Sequence, residues 1–260
     1  MNWFLICLAS VIVLALAYYF FAPTATDHRN RGLAWMQSGE YAKAISEFNE
    51  VIRLEPTLAT AYFSRGLAWA HRGETDQAIN DYSQAIQLDP TLSSAYLQRG
   101  TEWGNKGELN KAISDYTEAI QLEPTFGWVR TYRGIAWSKL GEFENAISDF
   151  DEAIRFDPDC AEAYNGRAYF RATCPDARYR NGQQAVEDAT TACELSDWKD
   201  RSCIRTLADS YAEAGDFDAA IKWVKEAIAL DFIGDWEEGS SRLALFETGK
   251  PFREKYGTWS

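Results

Sequence analysis

The chain has 260 residues, 46% hydrophobic and 25% charged, and its 39 acids outweigh 26 Lys and Arg to leave a net charge of −13. That sign argues against nucleic-acid binding, which usually rests on a basic stripe, and against attraction to anionic lipid. It suits a basic partner, or serves solubility alone. Five cysteines, an odd number with no Cys-x-x-Cys spacing, do not make a fully paired framework.

Residues 1–22 differ from everything after them. Trp3 to Ala22 is a 20-residue run with no charge and one clearly polar residue, Ser10. A membrane-spanning helix needs about 20 such residues. Trp3, Tyr18 and Tyr19 stand at the ends of the run, where aromatic side chains favour the interface. The rival reading is a cleaved signal peptide. Against it, no Lys or Arg precedes the run, the apolar stretch exceeds an ordinary signal core, and Ala22-Pro23-Thr24-Ala25 is a poor cleavage site. Cys7, after Phe4-Leu5-Ile6, lies too early for a lipoprotein box. A single-pass anchor is therefore expected. Arg29 and Arg31 follow the span, and the positive-inside rule then keeps the rest of the chain in the cytoplasm. Asp27 beside them weakens that vote, so the opposite side stays open.

From residue 25 a 34-residue period takes over, in Trp35, Trp69, Trp103 and Trp137, in Gly39, Gly73, Gly107 and Gly141, and in Pro56, Pro90, Pro124 and Pro158. A period of this length means one helical unit copied and stacked. In the copy Ala59–Leu92, the residues Tyr62, Phe63, Leu67, Ala68 and Trp69 have helical spacing. Gly73 ends that helix, because glycine enters the left-handed cap without steric cost. Asp76 follows as an N-cap or first-turn acid, and Ala78, Ile79, Tyr82, Ala85, Ile86 and Leu88 form a second stripe. Asp89-Pro90 closes it, since the residue before proline is pushed out of helical geometry. Small residues mark close approach: Gly32, Gly66, Gly100 and Gly134 in first helices, Ala44, Ala78, Ala112 and Ala146 in second ones. Phe48, Tyr82, Tyr116 and Phe150 fill the space between.

The set Tyr62, Gly66, Trp69, Gly73, Ala78, Tyr82, Ala85 and Pro90, with its equivalents, resembles the tetratricopeptide repeat over residues 25–234. The resemblance implies an all-α fold, a right-handed superhelical solenoid of about six helix-turn-helix units, 25–58, 59–92, 93–126, 127–160, 161–199 and 201–234. The fifth unit departs from the pattern: Arg171 replaces the tryptophan, and five extra residues lengthen the turn through Thr173-Cys174-Pro175-Asp176 and Tyr179-Arg180-Asn181-Gly182. Irregularities of a solenoid project from one face, so this turn reads as a recognition loop. Residues 235–260 read as a helix from Asp235 to Phe246 that caps the open end. A tail from Phe252 then either packs back or stays loose.

Arginine recurs at Arg31, Arg65, Arg99, Arg133 and Arg167, and an acid at Glu47, Asp81, Asp115, Asp149 and Asp188. The sixth unit loses both together, with Leu207 and Trp223 in their places. Joint loss predicts an ion pair between the two helices of each unit. In an antiparallel hairpin Cys193 lies toward Cys160 and Cys203, away from Cys174, so a disulfide and buried free thiols both remain open.

In the family resembled, first helices line a concave groove. Its inner positions here are Arg29, Leu33 and Met36, then Phe63, Leu67, Ala70 and His71, then Leu97, Thr101 and Asn105. Thr131, Ile135 and Lys139 follow, then Asn165 and Tyr169. Members that hold a C-terminal carboxylate use lysine and asparagine where this chain has Phe63 and Leu67, or Leu97 and Thr101, so that specificity does not carry over. An apolar to neutral groove suits an extended segment or an amphipathic helix of a protein partner. No catalytic set emerges: His28 and His71 belong to different units, and Thr248-Gly249-Lys250-Pro251 is too short for a phosphate loop. Arg171, Asp176, Arg178 and Arg180 lack a paired nucleophile or base. The expectation is a membrane-anchored interaction scaffold, without cofactor or metal and not an enzyme. The alternative is an exported repeat protein accessory to an envelope assembly complex.

Overall fold

A computed structural model describes residues 23–230 and 237–254. Among them all regular structure is helical, and the chain divides into two compact units, Met1–Ala95 and Tyr96–Ser260. No helix among the described residues is long and apolar enough to cross a membrane. The expected anchor, residues 1–22, lies outside the described residues.

The first unit holds two helical hairpins, α1 (Ala25–Gln37) with α2 (Tyr41–Leu54) and α3 (Ala59–His71) with α4 (Thr75–Leu88). Thr24 starts α1 by a reciprocal cap: its hydroxyl accepts the Asp27 N–H while the Asp27 carboxylate accepts the Thr24 N–H. Asp76 proves a first-turn acid of α4 and not its cap. The core is Ala44, Ile45, Phe48, Val51, Ala61 and Ala68. A Cβ on Gly66 would stand 2.7 Å from the Tyr82 ring, so the small-against-large pairing is enforced by contact.

The second unit begins within α5 (Ser93–Asn105), which pairs with α6 (Leu109–Leu122). Next come α7 (Gly127–Leu140) with α8 (Phe143–Phe156), α9 (Ala161–Thr173) with α10 (Gly182–Leu195), and α11 (Arg201–Glu213) with α12 (Phe217–Ala229). A last helix, α13 (Glu237–Glu247), packs on α12. Gly141, with φ at 81°, ends α7 in the left-handed conformation that its place in the period predicts.

The five expected ion pairs are all formed. From the second hairpin on they are two-pronged: Arg99 Nε and Nη2 each donate at 2.8 Å to Asp115, and Arg133 does the same to Asp149 at 2.8 and 2.7 Å. Arg65 holds Asp81 and Arg167 holds Asp188 in the same way. In the first hairpin Arg31 shares one oxygen of Glu47 with His28. The fork has a further prong. Arg133 Nη1 donates to Thr117 at 3.1 Å and Arg167 Nη1 to Asp151 at 2.7 Å, both on the preceding hairpin; Arg65 Nη1 reaches Asn49 likewise. A guanidinium has five donors in one plane, which lysine could not reproduce.

The lengthened fifth turn is fastened at both ends and does not project as a free recognition loop. Its short 3-10 stretch, Ala177–Tyr179, sends the Tyr179 ring against Phe143 (5.5 Å between centroids) and Phe170 (5.9 Å), and its hydroxyl to Glu144. Arg180 donates to Glu213 at 3.0 Å and to the carbonyls of Cys174 and Pro175. An aromatic ring with an apolar slot beside it gains more by burial than by exposure. Gly182 then lets α10 start against the end of α11, where an added Cβ would lie 2.4 Å from the Ala214 nitrogen. Cys160, Cys174, Cys193 and Cys203 are free and buried, and burial pushes the Cys193 and Cys203 thiols up to about 12. They are small apolar core groups.

The sixth hairpin replaces the missing fork. Leu207 is a core residue, and Trp223 stacks on Trp198 at 5.1 Å. The ion pair reappears from outside the hairpin: Arg242 of α13 donates through Nε to Asp209 of α11 at 2.9 and 3.1 Å, with both side chains essentially inaccessible. Arg242 also donates to Glu238 at 2.6 Å, and the Phe252 ring lies 3.9 Å from its guanidinium carbon.

Candidate functional site

The inner positions split into two groups. In the first unit Arg29 and Leu33 are exposed, Leu33 by 45%, while Phe63 and Leu67 are half-buried. Phe63 packs on the Tyr82 ring at 5.9 Å, and His71 stacks face to face on Tyr41 at 4.9 Å. Leu33, Phe63 and Leu67 give this face an apolar character, with Arg29 and His71 exposed beside them.

In the second unit two of the expected groove residues are core. Leu97 is 5% exposed and sits with Tyr116 and Val129, and Thr131 is 3% exposed. Thr101 is half-buried, its hydroxyl donating to the Leu97 carbonyl at 3.0 Å. Thr131 shares the face of Ile135, one turn earlier, but α9 packs over it: a Cβ added at Gly166 would lie 3.3 Å from the Thr131 methyl carbon.

Ile135, Lys139, Asn165 and Tyr169 come together around a cavity of about 410 Å³. Phe150 and Phe170 give it an apolar floor, and Ser202, Arg205 and Glu254 complete the wall. A shallower hollow of about 220 Å³ adjoins through the shared Ile135 and Lys139, and Thr101, Tyr116 and Tyr132 line it. The inner faces of α5, α7, α9 and α11 thus form a continuous row. Arg205 lies 5.5 Å from the Tyr169 ring centroid, and its Nη1 reaches Glu238 at 3.3 Å. Its Nε, like the Oδ1 of Asn165, is buried and has no hydrogen-bonding partner among the described residues. Burial pushes the Tyr169 phenol well above its ordinary range, and its hydroxyl donates to Glu254.

Arg205 was within reach of the sequence pattern. It stands 40 residues after Asn165, the offset that also relates Leu207 to Arg167 across the lengthened fifth unit. Ser202 and Glu254 had no such signal. Arg171, Asp176, Arg178 and Arg180 do not converge: Arg171 donates to Asp188 at 2.9 Å, and Arg178 to Asp176 at 2.6 Å. Among the described residues no cluster of His, Cys, Asp and Glu could hold a metal ion.

Stacked two-helix units with fixed glycines, an inner row of side chains and a terminal cap define a helical repeat protein. Models of the tetratricopeptide repeat match residues 59–92, 93–126, 133–173 and 206–232, and a further TPR repeat model matches 32–71. Together they cover more than half of the chain, which belongs to the tetratricopeptide repeat family. No curated protein matches it by sequence. Several solved structures share the fold. The Cut9–Hcn1 hetero-tetramer of APC/C is 17% identical with a TM-score of 0.71, over 89% of this chain and 44% of that one. PilW, a type IV pilus biogenesis factor, is 14% identical with a TM-score of 0.68, over 79% and 92%. A tetratricopeptide repeat protein from Parabacteroides merdae is 16% identical with a TM-score of 0.68, over 85% and 84%. The chain spans less than half the length of the Cut9–Hcn1 match, and at these identities the likeness is one of fold.

Proposed function

We propose that this chain is a membrane-tethered adaptor that captures a segment of a partner protein along the inner face of its second unit. The fold is that of a protein–protein interaction scaffold. The observation that carries the finer reading is the cavity between α7, α9 and α11, with apolar walls and a few polar groups, which is the composition of a recognition pocket. Ile135 and Phe170 would receive an apolar anchor, and Lys139, Asn165 and Arg205 would fix the register of the bound backbone. A photo-crosslinking residue in place of Ile135 is expected to give protein adducts in cells, while one in place of the exposed Glu118 on α6 gives none. Equal adducts at the two positions would remove the groove from the reading.

The tether is residues 1–22, and Arg29 and Arg31 favour repeats on the cytoplasmic side. The full chain is expected to stay in the membrane pellet after alkaline extraction, and a chain starting at Pro23 in the supernatant. A C-terminal tag is expected to survive protease added to sealed cells. Release of the full chain removes the anchor, and digestion of the tag reverses the sidedness.

A further inference from the structure

The last described residues of the chain enter this groove. After α13, Pro251–Glu254 returns without regular structure to the C-terminal end of α9. The final carbonyls of a helix have no partner within it. Here the Glu254 N–H donates to the Thr173 carbonyl at 3.0 Å, and Arg253 Nη1 to that of Ala172 at 3.3 Å. Arg253 also pairs with Glu213, and the Glu254 carboxylate accepts the Tyr169 hydroxyl.

The charges explain why an acid goes there. The chain as a whole carries −13, yet the other charged residues lining the cavity, Lys139 and Arg205, are cations. The tail supplies the carboxylate that faces them. Among the described residues the buried Arg205 Nε and Asn165 Oδ1 have no partner, and such groups recover their desolvation cost when a bound segment pairs with them. The strap therefore fills part of a site whose remaining polar groups await a longer occupant.

We propose that this strap is an internal ligand: in the free chain Glu254 holds the place that an acidic side chain of an extended partner segment takes in the complex, and it must leave for that segment to bind. This rests on the reading that the inner face binds protein segments. A permanent seal of the chain end is the rival, and the two differ in what the groove does once the strap is removed.

The probe is a synthetic peptide of residues 249–260, offered in trans to three chains: the full chain, a chain ending at Phe252, and the full chain carrying Arg253→Ala and Glu254→Ala. Phe252 and its contact with Arg242 remain in all three. Both variants are expected to bind the peptide at least about tenfold more tightly than the full chain, whose binding-competent fraction the strap lowers. Glu254→Ala within the peptide is expected to remove most of that gain. Equal binding by the three chains, or no binding by variants that melt like the parent, overturns the proposal. If the crosslinker at Ile135 still captures protein in those cases, the groove reading stands without the strap. If it captures nothing in any chain, the groove reading fails and the strap proposal falls with it.

Discussion

Arg242→Met is expected to lower the stability of the second unit by about 3–5 kcal/mol, the cost of leaving a buried charge without its partner. Asp209 has no accessible side-chain surface, and Arg242 is 1% exposed, so neither can turn to water. Asp209→Leu combined with Arg242→Met is expected to recover most of the loss, because two apolar groups in place of a buried pair cost little. The deficit depends on pH in a definite direction. Burial pushes the Asp209 carboxyl up to about 6, against the pull of Arg242 and Arg205 and with Glu238 adding to the rise. A folded value above the unfolded one means that stability from this group is present at low pH and lost as pH rises through the folded value. Without Arg242 the carboxyl rises further. The single variant should therefore trail the parent more at about pH 8 than at about pH 5 in denaturant melts. A pH-independent deficit would show that Asp209 is not the group left stranded.

Asp115→Asn is expected to cost about 3 kcal/mol, the lower end for a broken buried pair, because Arg99 retains 21% exposure. The carboxamide can still accept one hydrogen bond, but it offers a single oxygen where Arg99 Nε and Nη2 now find two. Glu118→Gln, three residues on along the same helix and exposed, should stay within about 0.5 kcal/mol. Thermal melts of the two variants side by side separate a loss of pairing from a loss of net charge. An Asp115→Asn midpoint equal to that of Glu118→Gln would mean that the fork holds nothing together.

Repetition decides what could be read without coordinates. The hairpins, the glycine caps, the aromatic residues facing Gly66 and Gly134, and the arginine pairs each occur several times at one spacing, and copies reinforce a weak local signal. Contacts made once carry no such signal. Asp209 and Arg242 are 33 residues apart on a hairpin and its cap, and either alone looks like an ordinary surface charge. The role of Tyr179 was missed for the same reason, since its slot is built by Phe143 and Phe170 from two other helices. The inner row was legible in register but not in depth. The spacing that selects Ile135 and Tyr169 also selects Leu97 and Thr131, and only the packing of the next helix separates lining from core.

The added prong of Arg133 and Arg167 changes how the second unit comes apart. A repeat protein whose units touch only through apolar surface can fray from an end, one hairpin at a time, because each interface contributes on its own. Arg133 and Arg167 each tie a hairpin to itself and to the one before it with the same planar group. Opening a hairpin therefore also strips a hydrogen-bond donor from its predecessor, so the intrinsic and neighbour terms rise and fall together. The consequence is cooperativity: these hairpins are coupled to melt as a block, and a local disturbance at one arginine is felt two helices away.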